Sequence, residues 1–402
     1  MPTGWIKNRK ILVSGAGIAG PTLAYWLLRW GFEPTLIDRA PSPRPGGYMI
    51  DFWGLGYDVA ERMDLLPMLL SDGYGIDELQ LVDTHGAKIG GLDGRIFRSA
   101  TDNRLVSLLR ADLARRLYAT VEGKVETMFS DSVRTLSEHD DGVEVTFECS
   151  KPRRFDLVVG ADGLHSAVRL AAFGQTGAYE RYLGYCAAAF SVARYPYRNE
   201  GAYVSYGVPR RQATRYSLRD GRTGFLLVFA EPSRQAAAHH DTLSHKAAVR
   251  RAFDGVGWEC GEILDAMSGA EEFYFDSVSQ VRMDRWSRGR IALVGDSCFC
   301  PSLLAGEGAA FAMAGSYLLA GELKAALGDY ERAFRRYQAQ FKTFIDAKQK
   351  KAESFAAWFT PKTPFRLLLR NMTTRLMTVP FLSDWVMHRL IADRFSLPDY
   401  SA

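Results

Sequence analysis

The chain has 402 residues, of which 47% are hydrophobic and 24% charged, and its formal net charge is +4. This length predicts two or three domains, or two interleaved ones, and the composition is that of a globular protein. No basic run is long enough for a nucleic-acid tail, so nucleic acid is not an expected partner. No segment reaches the ~18 apolar residues of a membrane span, and the N-terminus lacks a signal-peptide core. We therefore expect a cytoplasmic protein without stable membrane association. The 5 cysteines predict free thiols and no metal site, because no histidine lies at ligand spacing from them.

The beginning of the chain predicts a strand, a glycine turn, a helix and a second strand. These elements cover residues 10–14, 15–20, 21–30 and 34–38. Pro21 suits the first turn of the helix, where its missing N–H costs nothing. Residues 46–64 are glycine-rich at first and then helical, and residues 105–120 are predicted as one amphipathic helix.

The middle of the chain predicts mostly strands. Residues 132–137 and 143–148 alternate apolar and polar around an Asp-Asp-Gly loop, which indicates a hairpin, and residues 156–160 form a buried-type strand. One helix, at residues 240–253, is expected among the strands that follow. Those strands are residues 184–193, 202–207, 214–218, 224–230 and 277–283.

The last part of the chain returns to a buried strand, residues 290–294, and then predicts helices at 308–327, 330–357 and 365–394. The last segment mixes Phe381, Trp385 and Leu390 with arginines. It is interpreted as a helix that closes over the two domains near the substrate entrance, with a peripheral membrane helix as the alternative.

The predicted fold class is α/β. A Rossmann-type domain with a parallel central sheet is interleaved with a mostly antiparallel-sheet substrate domain, and a C-terminal helix follows. The predicted domains are residues 1–75, 100–180 and 284–350 for the nucleotide, 76–99 and 181–283 for the substrate, and 351–402 for the helical end.

The glycine turn predicts a dinucleotide site. In Gly15-Ala16-Gly17-Ile18-Ala19-Gly20, Gly15 permits the tight turn, Gly17 lets the backbone approach a pyrophosphate and Gly20 lets the helix pack on the strand. Asp38 ends the next strand, where an acid binds ribose hydroxyls. The turn alone does not distinguish FAD from NAD.

Two later motifs favour FAD. Asp296 leaves a strand end, where it can reach a ribityl hydroxyl, and Gly306, Gly308 and Ala309 precede or open a helix whose dipole suits a reduced flavin. Asp162 also follows a buried strand, and Arg110 is a candidate phosphate or flavin ligand.

The motifs GAGIAG, DLVVGADGLHSAVR and RIALVGDSCFCPSLLAGEG, in this order, resemble those of the single-component FAD-dependent aromatic hydroxylases typified by p-hydroxybenzoate hydroxylase. The resemblance covers roughly residues 9–345. The run EEFYFDSVSQVRMDRWSRGRIALVGD, with AGEL and GDY after it, is most similar to the short tetracycline-inactivating monooxygenases. That similarity adds antibiotic resistance to the expected roles.

This resemblance implies roles for individual residues. It implies a pyrophosphate turn at Gly15, Ala16, Gly17 and Gly20, adenosine-side contacts from Asp38, Arg39 and the backbone of Val133, a flavin contact from Arg110, contact of Asp162 with FAD and NAD(P)H, a ribityl contact from Asp296, and an isoalloxazine loop at Gly306, Gly308 and Ala309.

The chain also departs from the family pattern. Ser302 and Leu303 stand where the family usually has prolines, which affects the substrate side of the site. Glu307 replaces a glutamine and Ala309–Ala310 an asparagine, and Asp38 replaces a glutamate. Glu307 either lowers the redox potential of the flavin or faces solvent.

The predicted enzyme is an NAD(P)H-dependent monooxygenase with tightly bound, non-covalent FAD. It is expected to use O2 to hydroxylate a phenolic or polycyclic compound, such as a tetracycline or related polyketide. A flavin C4a-hydroperoxide would carry the chemistry, so no side chain is assigned a catalytic role. NADPH or NADH is expected to dock transiently, because no second Rossmann signature is present. The protein is predicted to be a monomer or weak homodimer.

Candidate substrate contacts come from the central sheet and the second motif. Tyr203, Arg215 and Phe225 are the candidates in the sheet, and His165 lies beside Asp162. Three alternatives remain: a FAD-dependent reductase, an epoxidase of the same fold, and an NAD-only dehydrogenase or non-catalytic module. Halogenation is disfavoured because the chain has no Trp-x-Trp-x-Ile-Pro element.

Overall fold

The computed structural model describes residues 6–43, 46–174, 176–232, 241–376 and 395–401. Its strands are β1 (Lys10–Ser14), β2 (Glu33–Asp38), β3 (Met49–Trp53), β4 (Glu78–Val82), β5 (Lys88–Asp93), β6 (Leu105–Leu109), β7 (Glu126–Phe129), β8 (Val133–His139), β9 (Gly142–Phe147), β10 (Arg153–Phe155), β11 (Leu157–Gly160), β12 (Glu180–Ala193), β13 (Ala202–Val208), β14 (Arg211–Ser217), β15 (Arg222–Ala230), β16 (Phe273–Val281), β17 (Ser287–Arg288) and β18 (Ile291–Leu293). Its helices are α1 (Ala19–Arg29), α2 (Leu55–Arg62), α3 (Leu66–Asp72), α4 (Gly94–Ala100), α5 (Arg110–Ala119), α6 (Ala167–Phe173), α7 (Thr242–Phe253), α8 (Cys260–Ser268), α9 (Asp296–Phe299), α10 (Gly308–Ala325), α11 (Tyr330–Phe359) and α12 (Pro364–Leu376).

A six-stranded sheet carries the glycine turn. Its order is β17-β18-β11-β1-β2-β7, and β1, β2, β7, β11 and β18 run parallel. The middle strands read as continuous apolar runs because helices cover both faces of a parallel sheet. The carboxyl ends of β1, β11 and β18 therefore lie side by side at one edge, where each strand runs into one of the three sequence motifs.

A seven-stranded sheet forms the second layer, in the order β16-β12-β15-β14-β13-β4-β5. Neighbouring strands are antiparallel except β13 and β4. Side chains alternate between its faces along each strand. The outer face packs on α7 and α8 through a cluster that includes Val204, Phe225, Leu227, Phe253 and Ile263.

The inner face of this sheet is defined by residues that are paired across its strands. It carries Tyr203 opposite Tyr216, Thr214 opposite Leu226, and Ala189 opposite Tyr274. Met49 of β3 packs against Tyr216, and Leu304 packs against Val228 and Tyr185. The inner face is thus turned toward β3 and toward the chain that precedes α10.

Helix α10 packs against α1 and α2. It is buried along most of its length, and Ser316 donates a hydrogen bond to the carbonyl oxygen of Ala19 in α1 at 2.9 Å. A Cβ on Gly56 of α2 would lie 2.6 Å from the Cα of Ala310, so α2 crosses α10 at close range. These contacts fix the N-terminus of α10 beside the edge where β1, β11 and β18 end.

The α/β fold class is confirmed, and some predicted elements are corrected. Residues 105–120 are not one helix, because Leu105–Leu109 pairs with β3 as an antiparallel strand before α5 begins at Arg110. Strand β3 itself was not predicted within residues 46–64, and α8 is a second helix beside α7.

The predicted C-terminal helix is confirmed over the part that the structure describes, as α12 (Pro364–Leu376). Residues 377–394, which include Phe381, Trp385 and Leu390, lie outside the described residues. Within the ranges that the structure describes, no helix is both long and apolar enough to cross a membrane.

Candidate functional site

The glycine turn is tightly packed against two neighbouring loops. Gly15 has a φ of +111°, and its N–H donates to the carbonyl oxygen of Ile37 at 2.6 Å. A Cβ on Gly15 would lie 2.4 Å from the carbonyl oxygen of Ala161, and one on Gly20 would lie 1.7 Å from that of Gly15. Both positions therefore require glycine, because any side chain would displace the backbone.

Gly17 differs from the other two glycines of the turn. A Cβ there would meet no heavy atom within 4 Å, so open space lies above its backbone. Helix α1 begins two residues later, at Ala19, and its first-turn N–H groups have no helical partners. A space beside a helix N-terminus fits a diphosphate, which supports the presence of a dinucleotide here.

Asp38 supports the turn from the end of β2. Its carboxylate accepts hydrogen bonds from the backbone N–H of Ala16 at 2.7 Å and of Ala40 at 2.8 Å. Arg39 beside it is exposed. The chain leading into Val133 is tied to the same place, because the N–H of Asp131 donates to the carbonyl oxygen of Asp38 at 3.1 Å.

Asp162 lies next to the glycine turn and organises its own loop. It accepts hydrogen bonds from the N–H groups of Ala167 at 2.9 Å and Val168 at 3.1 Å, and from the hydroxyl of Ser14 at 3.3 Å. Ser166 also donates to it. Burial raises the pKa of the Asp162 carboxyl, and these hydrogen bonds oppose the rise.

Arg169 joins the second and third motifs. Its side chain is fully buried and donates to the carbonyl oxygens of Ser297 at 2.7 Å and Leu164 at 2.5 Å. The guanidinium therefore ties the Asp162 loop to α9 from below. This bridging role was not predicted, because Arg169 and Ser297 are 128 positions apart and no local sequence pattern contains both.

Asp296 and Arg110 approach one region from opposite sides. Asp296 begins α9, and a Cβ on Gly308 would lie 3.6 Å from its Oδ1, so the carboxylate lies at the N-terminus of α10. Burial raises the pKa of Asp296, and the Arg110 guanidinium opposes that rise. Arg110 begins α5, and its backbone N–H donates to the carbonyl oxygen of Tyr48 at 3.1 Å. Among the described residues its guanidinium makes no hydrogen bond or ion pair, so its donors remain available to a ligand.

The loop of residues 300–308 crosses between the two layers. Ser302 has a φ of +120°, which is a strained conformation for a residue with a side chain, and Gly306 is left-handed at +72°. Leu303 and Leu304 pack against the inner face near Tyr185 and Val228. Gly308 therefore lies next to Asp296, Gly306 connects it to the leucines on the inner face, and Ala309 follows in the first turn of α10.

The three candidate substrate residues are not on one face of the sheet. Tyr203 is on the inner face and donates to the Asp51 carboxylate at 3.2 Å, which also accepts a 2.5 Å hydrogen bond from Ser107. Phe225 is on the outer face, in the cluster with α7 and α8, and stacks on Phe190 with ring centroids 5.0 Å apart.

Arg215 is also on the outer face. Its guanidinium forms a buried ion pair with Glu259, with N–O distances of 2.8 and 3.1 Å. Tyr195 donates to the same carboxylate at 3.2 Å. Arg215 and Phe225 therefore contact residues of the outer face, and the sheet separates both side chains from loop 300–308.

Other inner-face residues beside the candidate site were missed from the sequence. Tyr274 lies 5.5 Å from Tyr48, measured between ring centroids, and Asp276 follows two positions later on the same face. Burial raises the pKa of Tyr48 to about 12. His165 Nε2 lies 3.1 Å from Asp276 Oδ1, so the Asp162 loop reaches the inner face here. The sequence of Phe273–Val281 could indicate that Tyr274 and Asp276 lie on the same face of a strand, but it could not indicate which face of the sheet that is.

Comparison with known proteins identifies the family of the chain. The family described as FAD binding domain matches residues 100–347. An uncharacterised protein of Mycobacterium tuberculosis is 39% identical over 85% of this chain and 92% of its own length. A flavin-dependent monooxygenase of Legionella longbeachae is 35% identical over 88% of this chain and 89% of its own. The crystal structure of the tetracycline destructase Tet(55) has a TM-score of 0.83 and 31% identity, covering 99% of this chain and 100% of that one. The chain therefore belongs to the FAD binding domain family, with FAD as its cofactor, and it is an oxidoreductase.

Proposed function

We propose that this enzyme uses NAD(P)H and O2 to hydroxylate a phenolic or polycyclic aromatic compound held between loop 300–308 and the inner face of the seven-stranded sheet. The observation that carries the proposal is the position of this loop. At one end, the loop reaches Asp296 and the N-terminus of α10. Further along, its residues Leu303 and Leu304 pack against the inner face. FAD supplies the chemistry when bound, because it passes electrons from NAD(P)H to O2.

The residues proposed to hold FAD form a continuous path. The path begins at the adenosine end with Asp38, Arg39 and Val133, continues through the diphosphate turn of Gly15, Ala16, Gly17 and Gly20 beside Asp162, and ends at the isoalloxazine with Arg110, Asp296, Gly306, Gly308 and Ala309. The open space at Gly17 supports the diphosphate part of this path, and the unbonded guanidinium of Arg110 supports its isoalloxazine end. The first-turn N–H groups of α1 and α10 add favourable dipoles for anionic groups.

The inner face supports an aromatic substrate. Tyr203 and Tyr274 are half-buried there, and Tyr48 and Leu226 lie beside them. Aromatic rings of this kind bind flat, apolar ligands through offset-stacked and edge contacts. Their hydroxyl groups are held protonated, because burial raises the pKa of Tyr203 and Tyr274 well above the usual range. The destructase similarity makes tetracyclines and related polyketides the first compounds to try.

We also propose that the domains follow the sequence-based division. Strands β4, β5 and β12–β16 belong to one sheet, which supports assigning residues 76–99 and 181–283 to the substrate domain.

The test is NAD(P)H oxidation by the FAD-loaded enzyme across a panel of phenols and tetracyclines, with mass spectrometry for an added oxygen. Two adjacent half-buried residues give a matched pair of variants. Tyr274→Ala removes a ring from the inner face, whereas Phe273→Ala removes one from the outer face. We expect Tyr274→Ala to raise KM for the aromatic substrate and Phe273→Ala to leave KM unchanged. Equal KM effects of the two variants, or a panel without any substrate-stimulated oxidation, would contradict the proposal.

A further inference from the structure

We propose that Lys348 of α11 is a positioning residue that neutralises Glu307, and that this ion pair sets the redox potential of the bound FAD. The inference rests on FAD lying beside the N-terminus of α10. It concerns the electrostatics at that terminus and not the identity of the substrate.

The pair is buried and close to the site. Glu307 is the residue immediately before α10, next to Gly308, whose Cβ position is 3.6 Å from Asp296. Lys348 Nζ is bonded to Glu307 Oε1, and the two side chains are only 6% and 16% exposed, respectively. The Lys348 ammonium also lies 5.5 Å from the ring centroid of Phe311 and 5.6 Å from that of Phe344. Two aromatic faces and a carboxylate favour the charged form of the lysine.

The next residue of α11 holds the other end of the same loop. Gln349 donates to the carbonyl oxygen of Cys300 at 3.1 Å and to that of Val281 at 2.7 Å. Gln280 donates to the carbonyl oxygen of Pro301 at 2.8 Å. Loop 300–308, with its strained Ser302, is therefore held at both ends by consecutive residues of one helix turn.

The charge of the pair determines the sign of its effect on the flavin. A flavin gains negative charge on reduction, and the positive dipole end of α10 stabilises that charge. An uncompensated Glu307 at this end would oppose the dipole and favour the oxidised flavin. Paired with Lys348, it adds no net charge, so the dipole acts at full strength while the loop gains an anchor.

The variants Lys348→Met, Glu307→Gln and their combination test this inference through the midpoint potential of the bound FAD. We expect Lys348→Met to lower the potential and Glu307→Gln to raise it. Each shift should reach roughly a tenfold change in the equilibrium between oxidised and reduced flavin, which is about 30 mV for a two-electron couple. The midpoint potential of the double variant should differ from the wild-type value by no more than a third of the shift that either single variant causes. The control is Lys342→Met, which removes a lysine from the same helix whose carboxylate partner, Asp346, is 3.0 Å away, and it should leave the potential unchanged.

Thermal unfolding of the protein freed of FAD gives a second readout. Lys348→Met should unfold at a lower temperature than the double variant, because the single variant removes the positive charge beside a buried carboxylate, whereas the double variant also removes the carboxylate. If Lys348→Met does not fold, Lys348→Arg and the isosteric Glu307→Gln still give the expected unchanged and raised potentials. Single variants that shift the potential in the same direction, or a double variant whose potential stays as far from the wild-type value as that of either single variant, would overturn the inference. A wild-type protein that does not retain FAD would overturn the proposed function together with it.

Discussion

Replacing two glycines of the same turn by alanine should separate folding from cofactor binding. At Gly20 the new Cβ would lie 1.7 Å from the carbonyl oxygen of Gly15, far inside the 3.0 Å that real Cβ contacts keep. Helix α1 would have to move off β1, at a cost of about 3 kcal/mol or more, the upper end of the range for overpacking. We therefore expect Gly20→Ala to lower the unfolding temperature with and without FAD.

At Gly17 the same substitution should leave the fold intact. Its φ is outside the left-handed region and a Cβ would meet nothing within 4 Å, so the FAD-free protein should gain about 0.4–1 kcal/mol of stability from the reduced entropy of the unfolded chain. The methyl group would instead occupy the space proposed for the diphosphate. At a FAD concentration of roughly 100 times Kd, the wild type gains about 2.7 kcal/mol from the ligand, and Gly17→Ala should lose most of that gain.

The assay is thermal unfolding of both variants and the wild type with and without added FAD, together with the flavin absorbance of the purified proteins. A Gly17→Ala protein that retains FAD as tightly as the wild type would refute the assignment of this space to the diphosphate. A Gly20→Ala protein of normal stability would refute the packing argument.

Three further substitutions have distinct expected effects. Arg110→Met should weaken FAD binding by at least roughly tenfold in a fluorescence titration, because the guanidinium hydrogen-bonds to no described residue and its donors are available to the flavin. Arg215→Met should lower the free energy of unfolding by about 3–5 kcal/mol in urea, because it leaves Glu259 buried without its partner, and FAD affinity should not change. The hydrogen bond to Asp276 raises the pKa of His165, so its stabilising effect is present below the unfolded pKa of about 6.5 and is lost as pH rises through the folded value. His165→Gln should therefore lose more unfolding free energy at about pH 6 than at about pH 9, and the opposite order would contradict the assigned contact.

The nucleotide side of the molecule could be predicted from the sequence because its signals are local. The turn from Gly15 to Gly20 directly follows a buried strand, and the Asp162 loop and the strand that ends before Asp296 each combine a buried strand with a glycine and an acid over a few residues. The parallel order of β1, β11 and β18 then brings the motifs together, because parallel strands end at the same edge.

The substrate side could not be predicted in the same way. The face on which a strand residue lies depends on register with distant strands, and a shift by one residue moves every side chain to the other face. Arg215 and Tyr216 are neighbours in sequence, yet one forms an ion pair with Glu259 beside α8 and the other packs against Met49. The pairs Arg215–Glu259 and Glu307–Lys348 join residues 44 and 41 positions apart, so no local pattern contains them.

The most direct measurement of the central claim is the origin of the oxygen atom in the product. The FAD-loaded enzyme is supplied with NAD(P)H and an accepted aromatic substrate under isotopically labelled O2, and the product is analysed by mass spectrometry. If the inner face and loop 300–308 hold the substrate for hydroxylation, the product carries one labelled oxygen as a new hydroxyl group. A product that contains no labelled oxygen, or one that has gained two hydrogens instead, would show that the enzyme is a reductase and contradict the account. If the labelled oxygen is recovered in an epoxide, the reaction at this site is epoxidation and not hydroxylation.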